Sequence, residues 1–121
     1  MIVSKSFNIA KKYLNKKVEV EIDRPLGSKH PKYRFIYEVN YGFIKNVKVP
    51  DGEELDAYCL GVKEPVKNFN GVCSAIAHRK DDDDDKLIIL PEGVEMTDEE
   101  IMDIIYFQEQ WFDTEIIRGD Y

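Results

Sequence analysis

Residues 86–112 run KLIILPEGVEMTDEEIMDIIYFQEQWF, and within them the hydrophobic period changes from that of a strand to that of a helix. Lys86 to Leu90 is a short apolar run between an acidic stretch and Pro91, the pattern of a buried strand. Thr97-Asp98-Glu99-Glu100 is a capping box, with Thr97 as N-cap and Glu100 placed to answer it. Ile101, Ile104, Ile105, Gln108, Trp111 and Phe112 then follow the helical repeat, so an amphipathic helix is expected to close the chain.

Working back from this switch, the chain is mostly strand. Lys17 to Asp23 (KVEVEID) alternates polar and apolar residues. Arg24 to Pro31 (RPLGSKHP) is punctuated by proline and glycine and is a loop. Tyr33 to Val49 is rich in aromatic and β-branched residues, broken near Asn40-Tyr41-Gly42, and Pro50-Asp51-Gly52 marks a turn. Leu55 to Val62 and Gly71 to Arg79 are further strands. Ser6 to Leu14, with Phe7, Ala10 and Leu14 on one side, is a short helix. Strands followed by one closing helix predict an α+β architecture, a small closed or nearly closed β-barrel capped by a helix. Without a linker, repeat or second composition regime, residues 1–121 are expected to form one domain.

The composition is that of a globular protein, with 43% hydrophobic and 34% charged residues. A net charge of −7 argues against nucleic-acid binding, which needs a basic surface, unless carboxylates first collect divalent cations. Met1 to Lys12 holds no apolar stretch long enough for a signal peptide, and no segment approaches the length of a membrane span. Cys59 and Cys73 show no metal spacing and are expected to be reduced, half-buried thiols in a cytoplasmic protein.

Two acidic segments carry the candidate chemistry. In Asp51-Gly52-Glu53-Glu54-Leu55-Asp56, strand alternation puts Leu55, Ala57 and Cys59 on one face and Glu54, Asp56 and Tyr58 on the other. In the run Asp81 to Asp85 followed by Lys86, Asp84 and Lys86 fall on one side once the strand has begun. Magnesium is held by a few carboxylates plus water and phosphate oxygens, and an adjacent lysine is a cation for phosphate. Blander readings stand beside this one. Asp-Gly is a common turn, and a run of aspartates is commonly a solvated loop. A calcium loop over Asp81, Asp83, Asp85 and Glu92 lacks its glycine, since Lys86 stands there. His30 and His78 have no ligand spacing.

The order of these motifs resembles that of the soluble (family I) inorganic pyrophosphatases. Tyr37-Glu38-Val39-Asn40-Tyr41-Gly42-Phe43-Ile44 is similar to the family's Tyr-x-x-Asn-Tyr-Gly-aromatic-Ile segment. Asp51-Gly52-Glu53-Glu54-Leu55-Asp56 is similar to its Asp-Gly-Asp-x-x-Asp turn, and Asp84-Asp85-Lys86 with the strand to Pro91 to its Asp-x-Lys loop. The resemblance runs from about Val18 to Pro91 and weakly into the final helix. It implies a five-stranded, OB-like barrel and magnesium-dependent hydrolysis of pyrophosphate, with manganese as a substitute. It further implies Asp51, Asp56 and Asp84 as principal metal ligands, Asp81 as a candidate further ligand, and Glu21 as an acid at the edge of the site. Glu53 stands where the family has the aspartate that positions and deprotonates the attacking water. Tyr41 and Lys86 resemble phosphate contacts.

The chain departs from the family in definite ways. It is shorter, and most of the segment that supplies a lysine, a glutamate and an arginine to the family's site is missing, leaving Arg24 and Lys29 as the substitutes on offer. Trp111 and Phe112 stand where the family holds phosphate with a tyrosine and a lysine. Three readings therefore stand: a pyrophosphatase, a hydrolase of another phosphoanhydride such as a nucleotide, and a non-catalytic metal- or phosphate-binding protein. Pyrophosphate or a similar small phosphoanhydride is the expected partner, with no nucleic acid and no membrane. Self-association into a homo-oligomer is left open.

Overall fold

The computed structural model describes residues 5–48 and 52–119. Five strands close on themselves: β1 (Lys17–Arg24), β2 (Asn40–Lys48), β3 (Glu54–Cys59), β4 (Asn68–Arg79) and β5 (Lys86–Leu90). The order around the sheet is β1-β2-β3-β5-β4, and β1 pairs again with β4 to complete the barrel. All contacts are antiparallel except β3 with β5, where Ala57, Tyr58 and Cys59 lie beside Leu87, Ile88 and Ile89. That parallel pair makes neighbours of the strands that carry Asp56 and Lys86.

Alternation sorts the side chains into two cores. Val20, Ile22, Ile44, Leu55, Cys59, Cys73, Ile76, Leu87 and Ile89 come from all five strands and fill the barrel interior, closed at one side by Ala10 and Leu14. A short helix α1 (Lys5–Ala10), continued as a 3₁₀ turn to Tyr13, brings Ala10 into this interior core. Tyr58, Leu60, Ala75, Ala77, Ile88 and Leu90 face the other way and pack with Ile101 and Ile105 of helix α2 (Asp98–Glu109). The capping box is formed: Glu100 N donates to Thr97 Oγ1 at 3.1 Å, and Thr97 N to Glu100 Oε1 at 2.9 Å.

The structure adds one strand to the expected set. The helix ends at Glu109, so Trp111 and Phe112 lie beyond it, and the chain returns as β6 (Thr114–Ile117) against β4. The free edge of β4 is a row of unpaired backbone groups, and a short β-branched segment satisfies it better than a longer helix would. Cys59 and Cys73 are fully buried rather than half-buried, and burial pushes both thiols up to about 12, which makes them unreactive. No described helix is long and apolar enough to cross a membrane.

Candidate active site

The Asn-Tyr-Gly segment that opens β2 does three separate things. Asn40 is buried; its Oδ1 accepts from Leu26 N and Val66 N at 3.0 and 3.2 Å, and its Nδ2 donates to Glu64 O at 2.9 Å. It thereby fastens two loops to the barrel. Gly42 lies against β1 so closely that a Cβ there would sit 1.9 Å from Glu21 O. Tyr41, between them, turns its hydroxyl to Asp56 and donates to Oδ2 at 2.8 Å.

Asp56 is the meeting point of the site. Lys86 Nζ lies 2.9 Å from Asp56 Oδ2 and 2.9 Å from Asp84 Oδ1, so one ammonium joins the two carboxylates. Lys86 is almost wholly buried, while Asp56 and Asp84 are partly exposed to the cavity they line. Burial, and next the Asp56 carboxylate, hold the Tyr41 phenol well above its ordinary range, so it remains a donor.

This cluster forms the floor of a cavity of about 1090 Å³ that Arg24, Glu53 and Arg79 also line. Among the other expected residues, Glu21 pairs across the sheet with Phe43, which lines the cavity, but Glu21 itself does not. Lys29 forms an isolated bridge with Ile36 and stands away from the lining. Asp81 Oδ1 accepts from Asp113 N at 3.1 Å, outside the cavity. Asp51 lies outside the described residues.

The aspartate run is divided among several tasks. Asp83 Oδ1 accepts from Ser6 N at 2.8 Å at the start of α1. Asp85 is buried and accepts from Arg79 N at 3.0 Å, with the His78 ring at 2.8 Å. Asp84 alone of the five both lines the cavity and touches Lys86.

Two groups escape a reading of the sequence. Arg79, only 5% exposed, donates from Nε and Nη2 to the two oxygens of Glu109 at 3.0 and 2.8 Å. Its guanidinium carbon lies 3.6 Å over the Phe112 ring, and its Nη1 faces Asp84 Oδ2 at 3.4 Å. Glu109 also accepts from the Tyr58 hydroxyl and, at 2.8 Å, from Thr114 Oγ1. Burial alone would raise the Glu109 carboxyl, but these donors outweigh it and hold the group below its ordinary value. Phe112 thus carries a cation: the Arg79 guanidinium is held on its ring. The second missed group is Asp23, which lines the same cavity and is raised by burial, with Asp56 adding to the effect. Alternation from Glu21 along β1 is the signal that could have found it.

Among the described residues, no three His, Cys, Asp or Glu side chains converge as a ready metal site. The donors present nonetheless suit magnesium. Asp23, Glu53, Glu54, Asp56 and Asp84 offer only hard carboxylate oxygens to an open cavity, and magnesium takes one or two carboxylates with water and phosphate.

No family model and no curated protein matches the chain. Solved structures do. An inorganic pyrophosphatase from Ehrlichia chaffeensis is similar with a TM-score of 0.66 at 17% identity, over 87% of each chain. The pyrophosphatase from Coxiella burnetii is similar with a TM-score of 0.60 at 17% identity, over 88% of this chain and 85% of that one. For the inorganic pyrophosphatase from Neisseria gonorrhoeae the TM-score is 0.54 at 20% identity, over 79% and 72%. The chain has the fold of these proteins, a closed five-stranded mixed barrel with helices, and is strongly divergent from them in sequence.

Proposed function

We propose that the chain hydrolyses a phosphoanhydride, with inorganic pyrophosphate as the reference substrate, in a metal-dependent reaction on the cavity floor. The observation that carries this reading is the Lys86 ammonium between Asp56 and Asp84, with the Tyr41 hydroxyl on the same Asp56 oxygen. A cation, two carboxylates and a neutral donor are held together at the base of an open cavity.

Magnesium or manganese, held by Asp56 and Asp84 with Asp51 as a third ligand, would supply charge neutralisation on the phosphates and a more acidic water. Lys86 contacts the phosphoryl group under attack, where a charge-assisted bond favours the charge that builds during transfer. Tyr41 fixes the orientation of Asp56. Glu53, at the cavity wall, accepts the proton of the attacking water as the water oxygen bonds to phosphorus and the bridging bond breaks. Arg79, with Arg24 farther out, takes the departing phosphate.

The purified protein should release phosphate from pyrophosphate with magnesium or manganese and lose that activity in EDTA. Titration calorimetry should detect magnesium binding in the absence of substrate. Asp84→Asn should lower turnover about a hundredfold or more, whereas Asp83→Asn, whose carboxylate serves helix α1, should be mild. Equal small effects from the two substitutions, or no phosphate release with any divalent ion, would sink the proposal.

A further inference from the structure

The cavity has two halves of unlike chemistry. Its floor is charged, as described, but its mouth is aromatic. Trp111 is 59% exposed, and its ring centre lies 5.6 Å from Phe35 at a tilt of 31°. Phe35 lies 4.9 Å from His30, which lies 5.1 Å from Tyr33, itself 66% exposed. A second line of rings runs inward from Phe35 to Tyr37 and Tyr41, with centres 5.4 and 5.3 Å apart. It ends at the hydroxyl on Asp56, so one continuous wall joins the mouth to the floor.

Three features of this mouth call for a ligand. Scattered exposed aromatics are ordinary, but Trp111 and Tyr33 come from distant segments and line one cavity. Arg34, between Tyr33 and Phe35 and also lining the cavity, holds φ at 66°. Left-handed backbone is uncommon outside glycine and clusters at binding sites. Finally, at about 1090 Å³ the cavity stands at the upper limit of ordinary ligand pockets, roughly 300–1,000 Å³. Pyrophosphate would touch only the floor and leave the aromatic half to water. Phe112 also lines the cavity, but the Arg79 guanidinium lies on its ring and occupies one face of it.

We infer that the cavity receives a nucleoside di- or triphosphate, its base against Trp111 and Phe35 and its phosphates on Lys86 and Arg79. The inference rests on the phosphoanhydride reading above and narrows its substrate class. Every base presents a π-face, so the stack selects for a planar group without selecting which one. Arg34 and Arg24 lie along the wall for the ribose-proximal phosphate.

Trp111 is the single tryptophan of the chain, so its fluorescence reports the stack directly. The test titrates the full chain, with magnesium, against adenosine 5′-(β,γ-imido)triphosphate and against imidodiphosphate. The nucleotide analogue should quench Trp111 and bind about ten- to a hundredfold tighter than imidodiphosphate, the span expected of one base stack. Trp111→Ala, followed by calorimetry, should remove that advantage. Equal affinity for the two compounds, or an advantage that survives Trp111→Ala, overturns the inference. So does an emission shift that follows protein concentration and not ligand, which would assign Trp111 to self-association. If pyrophosphate is cleaved while the nucleotide analogue gives no quench, the aromatic subsite alone falls. If neither analogue binds and neither pyrophosphate nor nucleotide is cleaved, the phosphoanhydride reading falls with it.

Discussion

Arg79 has its Nε–Nη2 edge on Glu109 and its plane on Phe112, which leaves only Nη1 toward Asp84 and the cavity. A buried arginine held this way has one orientation, and that suits a phosphate contact better than a free lysine on an exposed turn. Glu109→Gln keeps the shape and removes the charge, leaving the buried Arg79 with only the longer contacts of Nη1 to Asp84 and Asp82 at 3.4 and 3.8 Å. Stripping one partner from a buried pair costs about 3–5 kcal/mol, and replacing both by apolar groups is far less damaging. Glu109→Gln should therefore lower the urea midpoint steeply, and Arg79→Met with Glu109→Leu should recover much of the loss. The double variant should still bind imidodiphosphate about tenfold or more weakly, because the guanidinium is gone. A Glu109→Gln protein as stable as the parent would refute the account. Asp56 and Lys86 are legible in the sequence because strand alternation puts each on a definite face, whereas Asp84 precedes β5 and is held at the cavity by Lys86. Arg79 is not legible in the sequence, because what holds it at the cavity is a partner on helix α2 and a ring beyond it.

At the scale of elements, strands with a bounded pattern of their own, alternating or continuously apolar, are readable and those defined by a partner are not. Lys86–Leu90 is bounded in the sequence as in the structure, and Lys17–Asp23 differs from β1 by one residue, because the pattern itself ends there. The four residues of β6 have too little pattern of their own; only the vacant edge of β4 makes them a strand. The same edge draws Thr114 beside Arg79 and so helps to build the site. Gly42 is the clearest constraint on an element. Its missing side chain lets β1 and β2 approach within a distance that a Cβ would violate against backbone, and backbone cannot swing aside as a side chain can. Gly42→Ala should separate β1 from β2 beside Tyr41 and cost about 3 kcal/mol or more, at or above the upper range for overpacking. Amide exchange should accelerate first across Glu21–Phe43 and Ile22–Gly42. Protection unchanged at those pairs would mean that the strands close without needing the glycine.

The whole molecule carries −7 at neutral pH, and this gives its stability a definite dependence on pH. Asp23 and Asp85 are both raised, chiefly by burial, so their charged forms are disfavoured in the folded chain at neutral pH. A raised folded value means stability that is present below the unfolded value and lost as pH rises through the folded one. Acidification from neutrality should therefore relieve a cost as these two acids take up protons. Falling net charge acts in the same direction as the pH approaches the sequence pI of about 4.8. Glu109 has the opposite sign. Its folded value is lowered, so its contribution is present above the ordinary glutamate value and lost as pH falls through the lower one. The unfolding free energy should rise from pH 7 to a maximum on the acid side, then drop once Glu109 protonates and Arg79 loses its partner. Urea titrations across pH can separate the contributions. Salt screens the net-charge repulsion but not the desolvation of the buried Asp85, so part of the rise should persist at about 1 M salt. Glu109→Gln should abolish the steep acid limb while keeping the rise. A stability that declines steadily from pH 7 downward, with the limb intact in Glu109→Gln, would show that neither the aspartates nor the Arg79–Glu109 pair sets the profile.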